Sequence, residues 1–367
     1  MTNEAAYWIT LAHIPGWGNA KINSLIARFS QEYNLNIREF FNLQESDWQN
    51  LYGLEPKEIE ELNAAKAELP NNAFLAEQLE NEGYELIPIT SPDYSPALKA
   101  NLKTNQAPAL LYVKGNKQIL QEKSVAIVGS RNAAEVSLKF TDNIARMATK
   151  NFKVIVSGFA KGVDKQALDS ALAYIGQSII VLPQGIMTFG TGFKTYYKQI
   201  VDGDVLVVST FHPRAPWKVE LAMARNPIIY ALADEIYVAE SSDKGGTWSG
   251  VIDGLRKKRK IYVRKAETAE ETANDLLIEK GAIPVDLTGN RILDESAILA
   301  KELDAEFEKK ILELLKSGEY TTKDILKRLD MNWSETRLRE FLKTQKGIVT
   351  IHKKPLRYTG KQQTLFD

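Results

Sequence analysis

The sequence predicts an α/β protein built on a doubly wound parallel sheet, with a helical segment before it and a C-terminal winged helix after it. Three observations predict this. Between residues 123 and about 285, short β-branched runs alternate with helix-length stretches. Several of those runs end in glycine-containing loops, where a strand gives way to a helix. The last segment reads as three amphipathic helices followed by two short strands.

Residues 1–70 read as short helices separated by turns. In IPGWGNAKINSLIARF, Pro15, Gly16 and Gly18 form a tight turn, and Ile22, Leu25, Ile26 and Phe29 follow at the spacing of one helix face. Such a turn serves either a helix-hairpin-helix element or an ordinary helical hairpin that packs. Residues 71–122 are proline-containing and end in the strand-like Ala109 to Val113, a connecting strand and loop. The candidate strands of residues 123–290 are Ser124–Val128, Lys153–Val156, Ser178–Leu182, Val205–Val208, Glu235–Ala239 and Lys260–Val263. Each is nearly continuous and apolar, as strands buried on both faces are. Leu138–Thr149 and Lys165–Tyr174 are helices between them. In residues 304–360, DAEFEKKILELLKSG is a helix stopped by Gly318. TTKDILKRLDM is a second helix, capped near Thr321 or Thr322, and SETRLREFLKTQKG is a third, capped by Ser334. IVTIHKKPLRYTG supplies two strands and a basic turn, and residues 361–367 are a polar, flexible tail.

Composition narrows the chemistry. The 367 residues contain no cysteine, which removes disulfides, thiolate metal sites and cysteine nucleophiles. Only three histidines are present, His13, His212 and His352, in three different segments. No histidine-based triad or metal cluster can be built from sequence neighbours. The N-terminus lacks the form of a signal peptide, and no long apolar run suggests a membrane span, so a soluble cytoplasmic protein is expected. Net charge is zero, with 47 basic and 47 acidic residues. That balance hides a gradient: 15 acids to 6 bases over residues 1–100, 22 to 27 over 101–303 and 10 to 14 over 304–367. A polyanion would therefore meet the centre and the C-terminus.

The loops after the strands carry the functional signal. Ser124–Val128 is followed by Gly129, Ser130 and Arg131, and Lys153–Val156 by SGFAKGVD, which contains Ser157, Gly158, Phe159, Lys161 and Gly162. After Ser178–Leu182 comes PQG with Gly185, and after Glu240 comes SSDKGGT with Lys244, Gly245, Gly246 and Thr247. In a parallel sheet these loops fall on one edge, where glycines admit a close approach, helix N-termini offer N–H groups and Arg131, Lys161 and Lys244 add charge. The pattern predicts a phosphate-binding rim. It is neither a dinucleotide site, because G-x-G-x-x-G spacing is absent, nor a Walker loop.

The blocks VAIVGSR, VIVSGFAKGVDKQALDSAL, IIVLPQGI, ARNPIIYALADEIYVAES and KGGT resemble, in order over about 160 residues, those of the DNA-processing protein A family (DprA, also called Smf). The resemblance implies an extended Rossmann-like sheet and a recombination mediator of natural transformation and DNA processing. Such a protein binds single-stranded DNA and loads RecA onto it, without catalysis or cofactor. Its phosphate contacts would include Arg131, Lys161 (where the family usually has Arg or a similar residue) and the Arg225–Asn226 pair. Two blocks depart from the family pattern. Pro227 replaces the second arginine of RNRII, preceded by Ala222 and Met223 in place of Phe-Pro, and GLDxxYPxxN appears as GIMTFGTGFKTYYKQI. In the latter, Lys194 and Lys198, interleaved with Phe193, Tyr196 and Tyr197, would supply cations and stacking faces.

Three other readings stand beside this one. Related sheets with a GGxGT loop serve phosphoribohydrolases, but the glutamate those enzymes need falls at Gly250 here. What remains is non-catalytic sensing of a nucleotide-derived ligand on the same rim. Alternatively, the winged helix acts as a duplex-DNA regulator, through Arg337, Arg339 and Lys343 on its third helix and Lys353, Lys354 and Arg357 on its wing. The run Arg256 to Lys260 extends the basic surface or is a solvated helix end. The tail residues Gln362, Leu365 and Phe366 resemble a sliding-clamp docking peptide, and a homodimer is expected from the family.

Overall fold

A computed structural model describes residues 4–103, 106–267, 270–292, 295–331, 333–345, 348–351 and 355–360. The chain divides into two compact units, residues 1–292 and 293–367.

The first unit begins with six helices: α1 (Ala5–Ala12), α2 (Asn19–Ala27), α3 (Ile37–Phe41), α4 (Glu45–Tyr52), α5 (Pro56–Ala67) and α6 (Leu69–Asn81). Between α1 and α2 the chain turns at Gly16, whose φ of +79° suits glycine. Ile22, Leu25, Ile26 and Phe29 are all buried, as their spacing predicts. The strands are β1 (Glu85–Pro88), β2 (Leu110–Lys114), β3 (Ser124–Gly129), β4 (Val154–Ser157), β5 (Ser178–Val181), β6 (Val205–Ser209), β7 (Glu235–Glu240), β8 (Ile261–Arg264) and β9 (Ile283–Val285). They form one sheet in the order β1-β2-β6-β5-β4-β3-β7-β8-β9. β3 to β9 are mutually parallel, whereas β2 runs antiparallel to β6, and β1 antiparallel to β2.

The six expected strands all occur. Three more join them: β2 continues the strand expected at Ala109–Val113, while β1 and β9 have no counterpart in the sequence reading. Both of those are edge strands containing proline, Pro88 and Pro284, which masks the strand signal. Parity along each parallel strand is clean. Val125, Ile127 and Ile155 face one core with Phe140 and Ile144 of α8 (Glu135–Lys150) and Val163 and Ala167 of α9 (Val163–Ala173). Ala126, Val128, Val154 and Val156 face the other core.

That second core also contains Trp8, Leu11, Ile22, Phe40 and Trp48, so the N-terminal helices and the sheet share one apolar interior. Polar contacts reinforce the join. His13 Nε2 lies 2.8 Å from the hydroxyl of Tyr112 on β2, and Asn23 Nδ2 donates to the Ala107 carbonyl at 2.7 Å. The chain between β5 and β6 carries α10 (Gly190–Thr195) and α11 (Tyr197–Val201), and α7 (Pro96–Leu102) precedes β2. The helix α12 (Val219–Leu232) leads into β7, α13 (Gly245–Arg256) follows it, and α14 (Asn274–Glu279) precedes β9.

The second unit holds α15 (Glu295–Lys316), α16 (Thr322–Arg328), α17 (Glu335–Thr344) and the antiparallel pair β10 (Ile348–Ile351) and β11 (Arg357–Gly360). Its core is Ile311, Leu315, Ile325, Trp333, Leu338, Leu342 and Tyr358. Thr321 rather than Thr322 caps α16, through a reciprocal box with Asp324, and Ser334 caps α17 by accepting from the Arg337 N–H. Arg339 pairs with Glu335 at 3.2 Å. His352, Lys353 and Lys354 lie outside the described residues.

Burial pushes the His13 imidazole down to about 3, and neighbouring His212 adds to the shift. Because the folded value lies below the unfolded one, the contribution of His13 is fully present above about pH 6.5 and is lost as pH falls from there toward 3. Replacing it with Asn is expected to flatten the acid limb of unfolding by on the order of 1 kcal/mol between pH 7 and pH 5. Urea melts of the two proteins at both pH values read this directly. Parallel acid losses would show that His13 does not couple protonation to folding.

Candidate nucleic-acid interface

The chain leaves β3, passes outward through β4, β5 and β6, and returns to β7 on the other side of β3. The order therefore reverses between β3 and β7, and the loops at the carboxyl ends of these strands diverge around a crevice. A cavity of about 420 Å³ fills it. The lining comes from Gly129 to Asn132 at the end of β3, Glu240 to Ser242 and Lys244 to Thr247 at the end of β7, and the α12 residues Val219, Met223, Arg225 and Asn226. A second cavity of about 240 Å³ adjoins it over β4 and β5, lined by Gly158 to Lys161, Pro183, Gln184, Phe189 and Trp217. Arg131, Ala160, Ala222 and Arg225 line both, so one continuous groove runs along the sheet edge.

Of the expected contacts, Arg131, Lys161 and Lys244 are exposed along this groove, and among the described residues none of them forms a salt bridge. Gly245, Gly246 and Thr247 open α13, a helix of 12 residues without a side-chain cap, and line the groove. Thr247 Oγ1 donates to the Gly129 carbonyl at 3.1 Å and fastens the α13 start to the end of β3. Asn226 lines the crevice beside Gly246, and Ser130 accepts the Asn132 N–H, shaping the loop that displays Arg131.

Several expected contacts do other work. Arg225 is only 5% exposed, and its Nη1 donates to the Gly158 carbonyl at 2.6 Å and the Val181 carbonyl at 2.9 Å. It pins α12 to the ends of β4 and β5 from beneath the groove. Burial lowers its pKa and the nearby Asp164 carboxylate raises it, while burial raises the pKa of Asp164. The expectation that Gly158 and Gly162 leave room for a phosphate is corrected. A Cβ on Gly158 would lie 1.8 Å from Arg225 Nη1, and one on Gly162, with φ +75°, 2.4 Å from the Ser130 carbonyl oxygen. The two glycines admit protein groups, and the loops interlock. Ser157 is buried and donates to the Asp164 carbonyl at 2.9 Å. Phe159, at φ +61°, packs against Phe189 and Tyr196 with ring centroids 5.0 and 5.7 Å away.

Lys194 is exposed on α10 but lines neither cavity. Tyr196 is a packing residue: its hydroxyl donates to Asp169 Oδ1 at 2.7 Å and accepts from Lys165 at the same distance. Tyr197 points outward, and Phe193 packs against Tyr84 at a tilt and against Phe189 edge to face. Sequence reasoning missed Trp217, Met223 and Glu240. Glu240 accepts the Ala134 N–H at the start of α8 at 2.9 Å and places one acid inside the groove. Its position at the carboxyl end of β7 was the available signal.

The family model described as DNA recombination-mediator protein A matches residues 85–296. The chain is 35% identical over 179 residues to the DNA processing protein DprA of Streptococcus pneumoniae, covering 48% of this chain and 63% of that one. It is 27% identical over 249 residues to the protein Smf of Synechocystis, covering 66% of this chain and 60% of that one. The matched stretch thus spans about six-tenths of each relative. The X-ray structure of DprA from S. pneumoniae superposes with a TM-score of 0.61 at 24% identity, over 76% of this chain and 94% of that one, a likeness of fold. The family match spans the whole sheet, every loop of the groove included, and the chain belongs to the DNA recombination-mediator protein A family.

Proposed function

We propose that this protein binds single-stranded DNA along the carboxyl-edge groove and acts as a recombination mediator, without catalysis, by presenting the strand to RecA. The observation that carries the reading is a continuous groove with Arg131, Lys161 and Lys244 exposed along it and the uncapped start of α13 in its lining. Backbone N–H groups and separated cations grip a sugar-phosphate chain with little regard for sequence. Family membership supports the same reading. Gly250, where hydrolytic relatives of this fold would need a glutamate, packs on the Tyr230 ring instead, with room there for no more than a hydrogen.

The finer parts belong to the same proposal: a cytoplasmic protein, a homodimer, a winged helix made by α15 to α17 with β10 and β11, and a sliding-clamp contact through Gln362, Leu365 and Phe366. Those three residues lie outside the described residues. Among the described residues no helix is long and apolar enough to cross a membrane. One observation favours nucleotide sensing as a second reading. An apolar cavity of about 130 Å³, lined by Met223, Pro227, Tyr230, Gly250 and Gly254, adjoins the phosphate loops. Duplex regulation by the second unit remains the third.

The two arginines of the groove separate binding from support. Arg131→Ala is expected to weaken oligo(dT) binding severalfold and reduce the slope of log affinity against log salt by about 0.7, while leaving thermal stability unchanged. Arg225→Ala is expected to cost about 3 kcal/mol of stability, because it orphans two buried carbonyls beneath the groove. Anisotropy titrations across a salt series, paired with denaturant melts, distinguish the two. A stable Arg225→Ala protein with a reduced salt slope would place Arg225 on the ligand.

The grip should also be strand-selective. Oligo(dT) is expected to bind at least tenfold more tightly than a duplex of equal length, and Lys161→Ala and Lys244→Ala to weaken it as Arg131→Ala does. A preference for duplex that these changes leave untouched would transfer the DNA contact to the second unit.

A further inference from the structure

Beside the cations, the groove has a lining of a different kind. Trp217, Val219 and Met223 are 50%, 60% and 45% exposed, three large apolar side chains within seven residues just before and at the start of α12. Trp217 lines the cavity over β4 and β5, and Val219 and Met223 line the crevice between β3 and β7. Among the described residues Trp217 has no aromatic partner, whereas Phe159, Phe189, Phe193 and Tyr196 nearby are all engaged with one another. Large apolar groups left in water along one side of a cationic groove mark a surface that meets an apolar ligand face.

Resting on the single-strand reading, we propose that this ledge is the base-facing wall of the groove, and that Trp217 is a stacking platform for an unpaired nucleobase. Phosphates lie along Arg131, Lys161 and Lys244, and the bases turn toward Trp217, Val219 and Met223. An indole face stacks on any base, so the subsite is sequence-tolerant. It needs an unpaired base face, so a duplex cannot use it, and strand selectivity comes from this wall while the cations supply affinity for any polyanion. Trp217 differs from the groove's cations in carrying no charge, and its contribution is separable from theirs by salt.

The test compares the full chain and its Trp217→Ala and Trp217→Phe variants for binding to a dT oligomer and to an abasic oligomer of equal length and phosphate count. The unaltered protein is expected to favour dT. Trp217→Ala should weaken dT binding about tenfold, leave abasic binding and the salt slope unchanged, and preserve the elution volume of the protein; Trp217→Phe should restore most of the loss. Equal affinity of the unaltered protein for the two oligomers would overturn the stacking role and leave the phosphate grip standing. A Trp217→Ala change that alters oligomeric state while sparing the dT preference would assign the ledge to a protein contact and overturn the proposal. Absence of salt-dependent binding of either oligomer would remove the single-strand reading itself, and this subsite with it.

Discussion

The carboxyl edge of the sheet depends on one cation taken out of water. Arg225 sits beneath the groove with Nη1 shared between the carbonyls of Gly158 and Val181, at the ends of two adjacent strands. A buried guanidinium without such acceptors would be strongly destabilising. With them it ties the middle of α12 to β4 and β5. Two features of the sequence follow. Position 158 must be glycine, since any Cβ there would occupy the guanidinium. The start of α12 is held at the groove, which places Trp217 just before the helix, and Val219 and Met223 on its first turns, in the lining.

The same arrangement explains a groove in which charged and polar groups divide their roles. Buried ones, Arg225, Asp164 and Ser157, hold the loops to one another and to the strands. Exposed ones, Arg131, Lys161 and Lys244, have no salt-bridge partner among the described residues and are free to meet an anion. Gly162 serves the first group by letting the loop after β4 close against the backbone after β3. A floor locked in this way keeps the cations at fixed spacing, which lowers the entropic cost of ordering them around a flexible strand.

The parallel strands were legible from sequence because each is an apolar β-branched run buried on both faces, and Ser124–Gly129 and Val205–Ser209 begin where the pattern begins. The edge strands were not, since Glu85–Pro88 and Ile283–Val285 are short and contain proline. The rim loops were found from their glycines and lysines, but the sequence reports charge and not burial. Arg225 therefore read as a ligand contact, and Gly158 as space for a phosphate. Trp217 escaped notice for a related reason: a lone aromatic in a loop has no periodicity to betray it, and its exposure exists only once α12 is placed. The shared core of the N-terminal helices and the sheet was equally hidden, because it is made by residues far apart in the chain, such as His13 and Tyr112.

Hydrogen–deuterium exchange of the full chain, with and without a saturating dT oligomer, bears most directly on the groove as the DNA site. The account predicts slowed exchange in residues 129–132, 159–162, 217–223 and 242–247, four segments distant in sequence and joined only along this sheet edge. Protection confined to α17, β10 and β11, with those four segments unchanged, would contradict it.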